Sequence, residues 1–374
     1  MPAQGVTGGA GAGASPGAPH PAARGWRGRA AAWLDALGRA AAWPGALGRA
    51  WRRGPDGVVG RVVGRLLGDG ARRGDPGASP QDQPTADTPP AVAVVTDSTS
   101  CLTPADAAAW GITVVPLDVA VDDTRYQDGV DLTPDALVAL LASGRRVTTS
   151  QPPPGAFAAA YEAAAARGAR EVVSVHLSGD LSGTVRAAAL AAQIAPLPVH
   201  VVDSRSAGAG LGFAALAAAE VADGAAWGSA PTGTEVAATA EQVGRSTAAW
   251  FVVDSLDHLR RGGRLSGAAA AFGTVLGLRP VLTLHDGRID VAERVRTRRA
   301  ARDRLHQLAV EEVRRRGPGV RVAVQHLGRA EAASELADRI RATSGVDDVL
   351  VREVGAVLGG HLGVGVLAVT VTDR

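Results

Sequence analysis

The sequence predicts an α/β protein of two domains, preceded by an extension that belongs to neither. Short runs rich in Val, Ile and Leu, such as "AVAVVTD" and "EVVSVHL", are too continuous for a half-exposed sheet and fit strands buried on both faces. Alanine-rich segments with helix-start signals separate these runs, the alternation expected of a parallel sheet covered by helices. The first 90 residues differ from the rest, opening on "MPAQGVTGGAGAGASPGAPHP", a composition too poor in apolar surface to build a core.

Residues 75–90, "DPGASPQDQPTADTPP", read as a linker, so the globular part is expected from Ala91. "AVAVVTD" (91–97) is the first strand, and Thr103-Pro104 opens a helix with a cap residue and a proline in its first turn. Thr133-Pro134 opens a second helix, with Leu137, Leu140 and Leu141 on one face and a stop at Ser143-Gly144. "EVVSVHL" and "PVHVVDS" are two further strands, each followed by an alanine-rich helix. A second unit starts near "AAWFVVDSLDHL". Its "PVLTLHDGRIDVAERV" is a hairpin turning at Asp286-Gly287. Helices over 297–315 and 330–342 then alternate with the strands "VRVAVQHL" and "DVLVREV". The expected division is an extension and linker at 1–90, an N-terminal α/β domain at 91–245 and a C-terminal α/β domain at 246–374. The uncharged run Val354–Thr372 holds five glycines and His361, which suits a loop and a buried strand better than a membrane span.

Composition limits the function. Cys101 is the single cysteine, so no intrachain disulfide forms and a reducing, cytoplasmic setting fits. A buried, inert thiol is favoured there over a reactive one. All 39 basic residues are arginine, yet the formal charge is only +2, so nucleic-acid binding is not implied. A chain without lysine has no phosphate-binding G-x-x-x-x-G-K loop, and the eight histidines show no paired metal spacing. Neither a cofactor nor a metal is expected. Within the extension, a ten-residue near-repeat carries Trp33, Trp43 and Trp51, and residues 24–73 hold eleven Arg against three Asp, a net +8. Arg with Trp on amphipathic helices suits peripheral contact with an anionic membrane, at the inner face of the cell membrane for a cytoplasmic protein. An unselected tail is the equal alternative.

Polar clusters fall at strand ends: "VVTDSTS", "VTTSQP", "HLSGDLSGT" and "VVDSRSAGAG". Any one of them is ordinary helix capping. Four on one sheet edge would make a pocket that grips an anion, because ligands bind outside the carboxyl ends of parallel strands. Ser178, His361 and Asp203 could assemble a hydrolase, but no G-x-S-x-G elbow is present. A hydrolase or phosphotransfer enzyme using the same Ser/Thr/His pocket stays as the alternative.

The ordered set "VVTDSTS", "TTSQP", "LSGDLSGT", "VVDS", "GLRPVL", "RVRTRRA" and "HLGVG" closely resembles the DegV family of bacterial fatty-acid-binding proteins, from about Val92 to the C-terminus. The resemblance implies a two-domain fold with a buried fatty-acid site between the domains. It implies head-group contacts from Thr149, with Thr148 and Ser150 beside it, from Ser178, Ser182 and Gly183, and from His361. It implies no catalytic residue of the protein's own. The long-chain fatty acid is instead presented to a separate ATP-dependent fatty acid kinase subunit, and the acyl phosphate enters phospholipid synthesis. Arginines of the "RTR" element, Arg294, Arg296, Arg298 and Arg299, would dock that partner. The competing reading is a solvated helix face paired with Glu311 and Glu312. The segment 266–278, "SGAAAAFGTVLGL", is a candidate wall of the lipid site or an ordinary core helix.

Overall fold

A computed structural model describes residues 91–224, 230–265, 278–317 and 319–374. The extension and most of the 266–278 segment lie outside the described residues.

β1 (Val92–Asp97) is buried along its whole length, as its unbroken apolar run requires. Thr103 caps α1 (Pro104–Ala109) in a reciprocal box with Asp106. β2 (Thr113–Val115), β3 (Asp118–Val121) and β4 (Thr124–Gln127) follow. Thr133 caps α2 (Pro134–Ala142), which ends at Ser143 as its sequence signals. Then come β5 (Val147–Ser150), α3 (Pro154–Ala166), β6 (Glu171–His176), α4 (Thr184–Ala192) and β7 (Val199–Asp203). α5 (Ala209–Ala222) and α6 (Gly233–Ser246) lead to β8 (Ala248–Val252) and α7 (Asp257–Arg261). The hairpin of β9 (Arg279–His285) and β10 (Arg288–Val295) turns at Asp286-Gly287, where both residues have positive φ. α8 (Arg298–Arg316), β11 (Val320–His326), α9 (Ala330–Ser344), β12 (Val349–Glu353), α10 (Ala356–Leu362) and β13 (Leu367–Asp373) complete the chain.

The described strands form three sheets. A parallel sheet runs in the order β2-β1-β6-β7. A six-stranded sheet runs β10-β9-β8-β13-β11-β12 and is mixed, because β13 returns antiparallel between β8 and β11. An antiparallel ribbon, β4-β3-β5, stands apart from both. The ribbon was not expected: "DVAVDDTRYQDG" lacks the apolar run that marks the other strands, and Thr148–Ser150 belong to its third strand. α5 is buried nearly all round, which only a helix packed on two sides requires. One cluster joins its alanines to Val92, Val94, Val173 and Val175 of the parallel sheet and to Ala323 of β11. Its small residues permit that approach. A Cβ on Gly212 would lie 2.6 Å from the carbonyl oxygen of Ser100.

Asp128 fixes the start of α10. Its Oδ1 accepts the amide hydrogen of Ala356 at 2.6 Å, while Oδ2 has no partner and the residue is 3% exposed. Burial pushes its carboxyl up to about 6. The folded protein therefore binds this proton more tightly than the unfolded chain does, and stability falls as pH rises between about 4 and 6. Relative to Asp128→Asn, the wild type should lose about 2–3 kcal/mol of unfolding free energy between pH 4 and pH 7. Urea titrations of both proteins across that range check this; parallel pH profiles would show that Asp128 is not ionised at such a cost.

Among the described residues, no helix is long and apolar enough to cross a membrane.

Candidate functional site

β5 and α10 bring the first pair of side chains together. β3 pairs Val119 with Thr149 and Ala120 with Thr148, so alternation sends Thr149 inward with buried Val119 and leaves Thr148 exposed. Thr149 Oγ1 lies 2.8 Å from Nε2 of His361 on α10. Gly262, after α7, packs so closely on the imidazole that a Cβ there would come within 2.3 Å of Nδ1. Burial, then the charge of Arg264 and the neighbouring His258, lower His361 to about 4, so it is neutral at physiological pH.

Arg264 is held in place by two carbonyls. Its Nε donates to Leu181 at 3.0 Å and its Nη1 to Gly262 at 2.5 Å, which ties the α7 loop to the loop before α4. That second loop supplies Ser182 and Gly183. Gly183 is the N-cap of α4 and makes no side-chain cap, and the Gln151 side-chain amide packs directly against it where a Cβ would clash. Thr149, Ser150, Gln151, Ser182, Gly183, Arg264 and His361 all line one cavity of about 370 Å³. The remaining wall is mostly apolar. The six-stranded sheet presents Ala249, Phe251, Leu284, Ala368 and Thr370 to it, α10 presents Val357, Leu358 and Leu362, and Leu117, Leu177, Leu181 and Leu259 close the rest. The volume lies within the range of small-molecule sites, about 300–1,000 Å³. Among the described residues no group of three His, Cys, Asp or Glu side chains could hold a metal ion.

Two of the expected contacts stand elsewhere. Thr148 faces away for the reason of register just given. Ser178 is fully buried but does not line the cavity: its Oγ donates to the carbonyl of Gly287 at 2.7 Å and accepts the amide of Asp180. Arg205 and Arg288 add ion pairs to Asp180, and Arg205 also pairs with Asp286. The "SGDLSG" loop is thus stapled to the β9–β10 turn, and Ser178 positions the loop that carries Ser182 and Gly183. Arg264 and Gln151 were missed. Gln151 sat within the quoted T-S-Q-P element, whereas nothing in "RRGGRLSG" sets Arg264 apart from its neighbours.

The hydrolase constellation does not assemble. Asp203 accepts the amides of Gly179 and Arg205, Ser178 is committed to Gly287, and His361 meets Thr149. A different hydroxyl–imidazole–carboxylate chain does exist, from Ser174 to His176 Nε2 at 2.7 Å and from His176 Nδ1 to Asp97 at 3.0 Å. All three residues are fully buried, and Tyr161 donates to Ser174. None lines the cavity, so the chain is a core network. Its Asp97 also accepts the amide of Leu177, at the root of the "SGDLSG" loop. Cys101 lies among apolar neighbours, and burial pushes its thiol up to about 12, far from a reactive thiolate.

The arginine run has mixed fates. Arg304 is bidentate to Glu293 and pairs with Glu311, whereas Glu312 pairs with Arg315 and Arg316 instead. Arg294, Arg296, Arg298 and Arg299 are exposed. Arg298 lies 3.5 Å from Asp254 and Arg299 3.9 Å from Asp303, contacts worth little at a surface.

Residues 91–374 match the family model described as "Uncharacterised protein, DegV family". The chain belongs to the DegV family. It is 45% identical over 284 residues to a DegV domain-containing protein of Streptomyces coelicolor, covering 76% of this chain and 99% of that one. A DegV family protein from Thermus thermophilus, whose structure is described as fatty acid binding, shares 36% identity with a TM-score of 0.69. The alignment covers 76% of this chain and 99% of that one. DegV of Bacillus subtilis, described as a fatty acid binding protein, shares 33% identity over the same fractions, also with a TM-score of 0.69. The DegV match begins where β1 begins, so the first 90 residues are an addition to the family's domain.

Proposed function

We propose that this protein holds one long-chain fatty acid in the cavity and presents its carboxylate to an ATP-dependent kinase subunit, which converts it to an acyl phosphate. The observation that carries the reading is a largely apolar cavity with one polar edge, where Arg264, Thr149, His361 and Ser182 converge. The two fatty-acid-binding relatives of the same fold support it. Arg264 supplies the countercharge. If neutral His361 donates its Nε2 hydrogen to Thr149, the threonine hydroxyl is left to donate to the carboxylate. The start of α4 adds its dipole. A carboxylate oxygen then attacks the terminal phosphorus of ATP, and ADP leaves. The chemistry resides in the partner; this chain supplies affinity and orientation. The single cysteine and the ATP-using partner fit the cytoplasm.

Protein made in bacteria should release about one fatty acid per chain on extraction, identified by mass spectrometry. After delipidation it should bind palmitate in calorimetry. A polar metabolite released instead, with no palmitate binding, would overturn the reading. The exposed arginines serve the partner, since their planar forks pair with acidic surfaces. With a competent kinase subunit, Arg296→Ala with Arg298→Ala should keep the palmitate Kd and lower acyl-phosphate formation about tenfold, through slower association. If both properties stay unchanged, the run is only a solvated helix face.

A further inference from the structure

Three arginines from three separate elements converge on Asp254, just after β8. Arg279, the first residue of β9, donates from Nη1 to the Asp254 carbonyl at 3.1 Å. Arg298, the first residue of α8, sets its Nε 3.5 Å from Oδ1. Arg329, the N-cap of α9, sets its Nη2 3.1 Å from Oδ2. Gly365 makes room for this carboxylate, since a Cβ there would overlap Oδ2. Among the described residues, Asp254 is the one acidic residue that these three arginines contact. One carboxylate against three guanidinium groups leaves positive charge in excess, and the positive ends of the α8 and α9 dipoles add to it. A staple needs one cation per carboxylate; further cations held beside it repel one another unless an anion joins them. Arg298 and Arg329 keep 56% and 39% of their side chains exposed, so an anion in solution reaches them.

The cluster shares a strip with the head-group site. Residues 361–365 run beside 254–262, with Gly365 against Asp254, Gly363 against His258 and His361 against Gly262. Four residues span at most about 14 Å, so the arginines stand close to the polar edge of the cavity. We propose that Arg279, Arg298 and Arg329 form a phosphoryl-binding site, which moors the phosphate groups of the nucleotide while a carboxylate oxygen beside His361 attacks the terminal phosphorus and ADP leaves. The mooring role rests on the kinase reading; the binding of phosphate does not. Planar guanidinium forks take phosphate oxygens two at a time, a capacity that one shared aspartate leaves largely unused.

The test is calorimetry on the delipidated full chain with pyrophosphate, orthophosphate and ATP. Pyrophosphate should bind the wild type, and Arg279→Gln with Arg329→Gln should weaken it at least about tenfold while the palmitate Kd stays within about twofold. Asp254→Asn should act in the opposite direction and tighten pyrophosphate about fivefold, because it removes the competing carboxylate. A cluster that only staples the fold gives no pyrophosphate binding in either the wild type or Asp254→Asn, and that result overturns the site. So does binding that the double variant leaves unchanged, which would belong to other arginines, those of residues 24–73 included. ATP should bind more tightly than orthophosphate; equal affinities would assign the site to free phosphate and overturn the mooring role. Arg329→Gln alone, with its exposed side chain, decides if the double variant does not fold. Loss of pyrophosphate binding with palmitate binding intact sinks only this inference, whereas absent palmitate binding sinks the fatty-acid reading.

Discussion

Arg264→Met combined with Thr149→Ala is expected to weaken palmitate binding about 100-fold while leaving the fold intact. Among the described residues that line the cavity, Arg264 is the one side chain charged at neutral pH, since His361 is held neutral by burial and by that same arginine. A carboxylate leaving water for an apolar cavity needs a countercharge and donors that replace its hydration. Hydrogen bonds to charged groups contribute about 1.5–3 kcal/mol each, so losing two of them outweighs what an admitted water restores. Hexadecanol gives the control, because it has the tail without the charge. Its affinity should be nearly the same for wild type and variant, and wild type alone should prefer palmitate. Removing Arg264 should also let the His361 pKa rise, though not to its ordinary value, because burial is the larger cause of its depression. An imidazole titration followed by NMR reads that shift. A palmitate affinity lowered less than threefold would place the carboxylate elsewhere in the cavity.

What the sequence could reveal of this site divides along physical lines. β1, β6 and the α5 helix are legible because burial on every side leaves a composition no exposed segment shares. The caps at Thr103 and Thr133 are legible because the whole interaction lies within a few residues. Thr148 and Thr149 are indistinguishable until β5 is known to pair with β3, since one step of register decides which faces inward. Ser178 is harder still. Its hydroxyl looks like a ligand group in "LSGDLSG", and only the close approach of the distant Gly287 carbonyl commits it to the fold. Arg264 gains its role from Leu181 and Gly262 carbonyls that aim it, and no local pattern encodes that. The resemblance supplied His361 and Thr149 as partners in one site.

Ala368→Phe is expected to cost more than 100-fold in affinity for palmitate and very little for acids about four carbons shorter. β13 is an inner strand of the six-stranded sheet, and Ala368 lines the cavity between its register partners Phe251 of β8 and Gln325 of β11. A phenyl ring at this position points into the cavity, so it meets room rather than a packed core, and an aromatic residue suits a strand. Thermal stability should therefore hold, which separates this change from an ordinary core overpacking. The ring takes space that the ligand tail would otherwise fill. If it displaces about four methylenes, at about 0.8 kcal/mol each, the loss is about 3 kcal/mol. Chain length then becomes the readout. Wild-type affinity should climb with each added carbon from decanoate to palmitate, whereas the variant should climb and then level off at the length the ring permits. Head-group damage cannot imitate this, because it lowers every chain length by one factor. An unchanged palmitate affinity in a folded Ala368→Phe would mean that the tail does not run over this sheet, and that the apolar floor of Ala249, Phe251 and Leu284 serves packing alone.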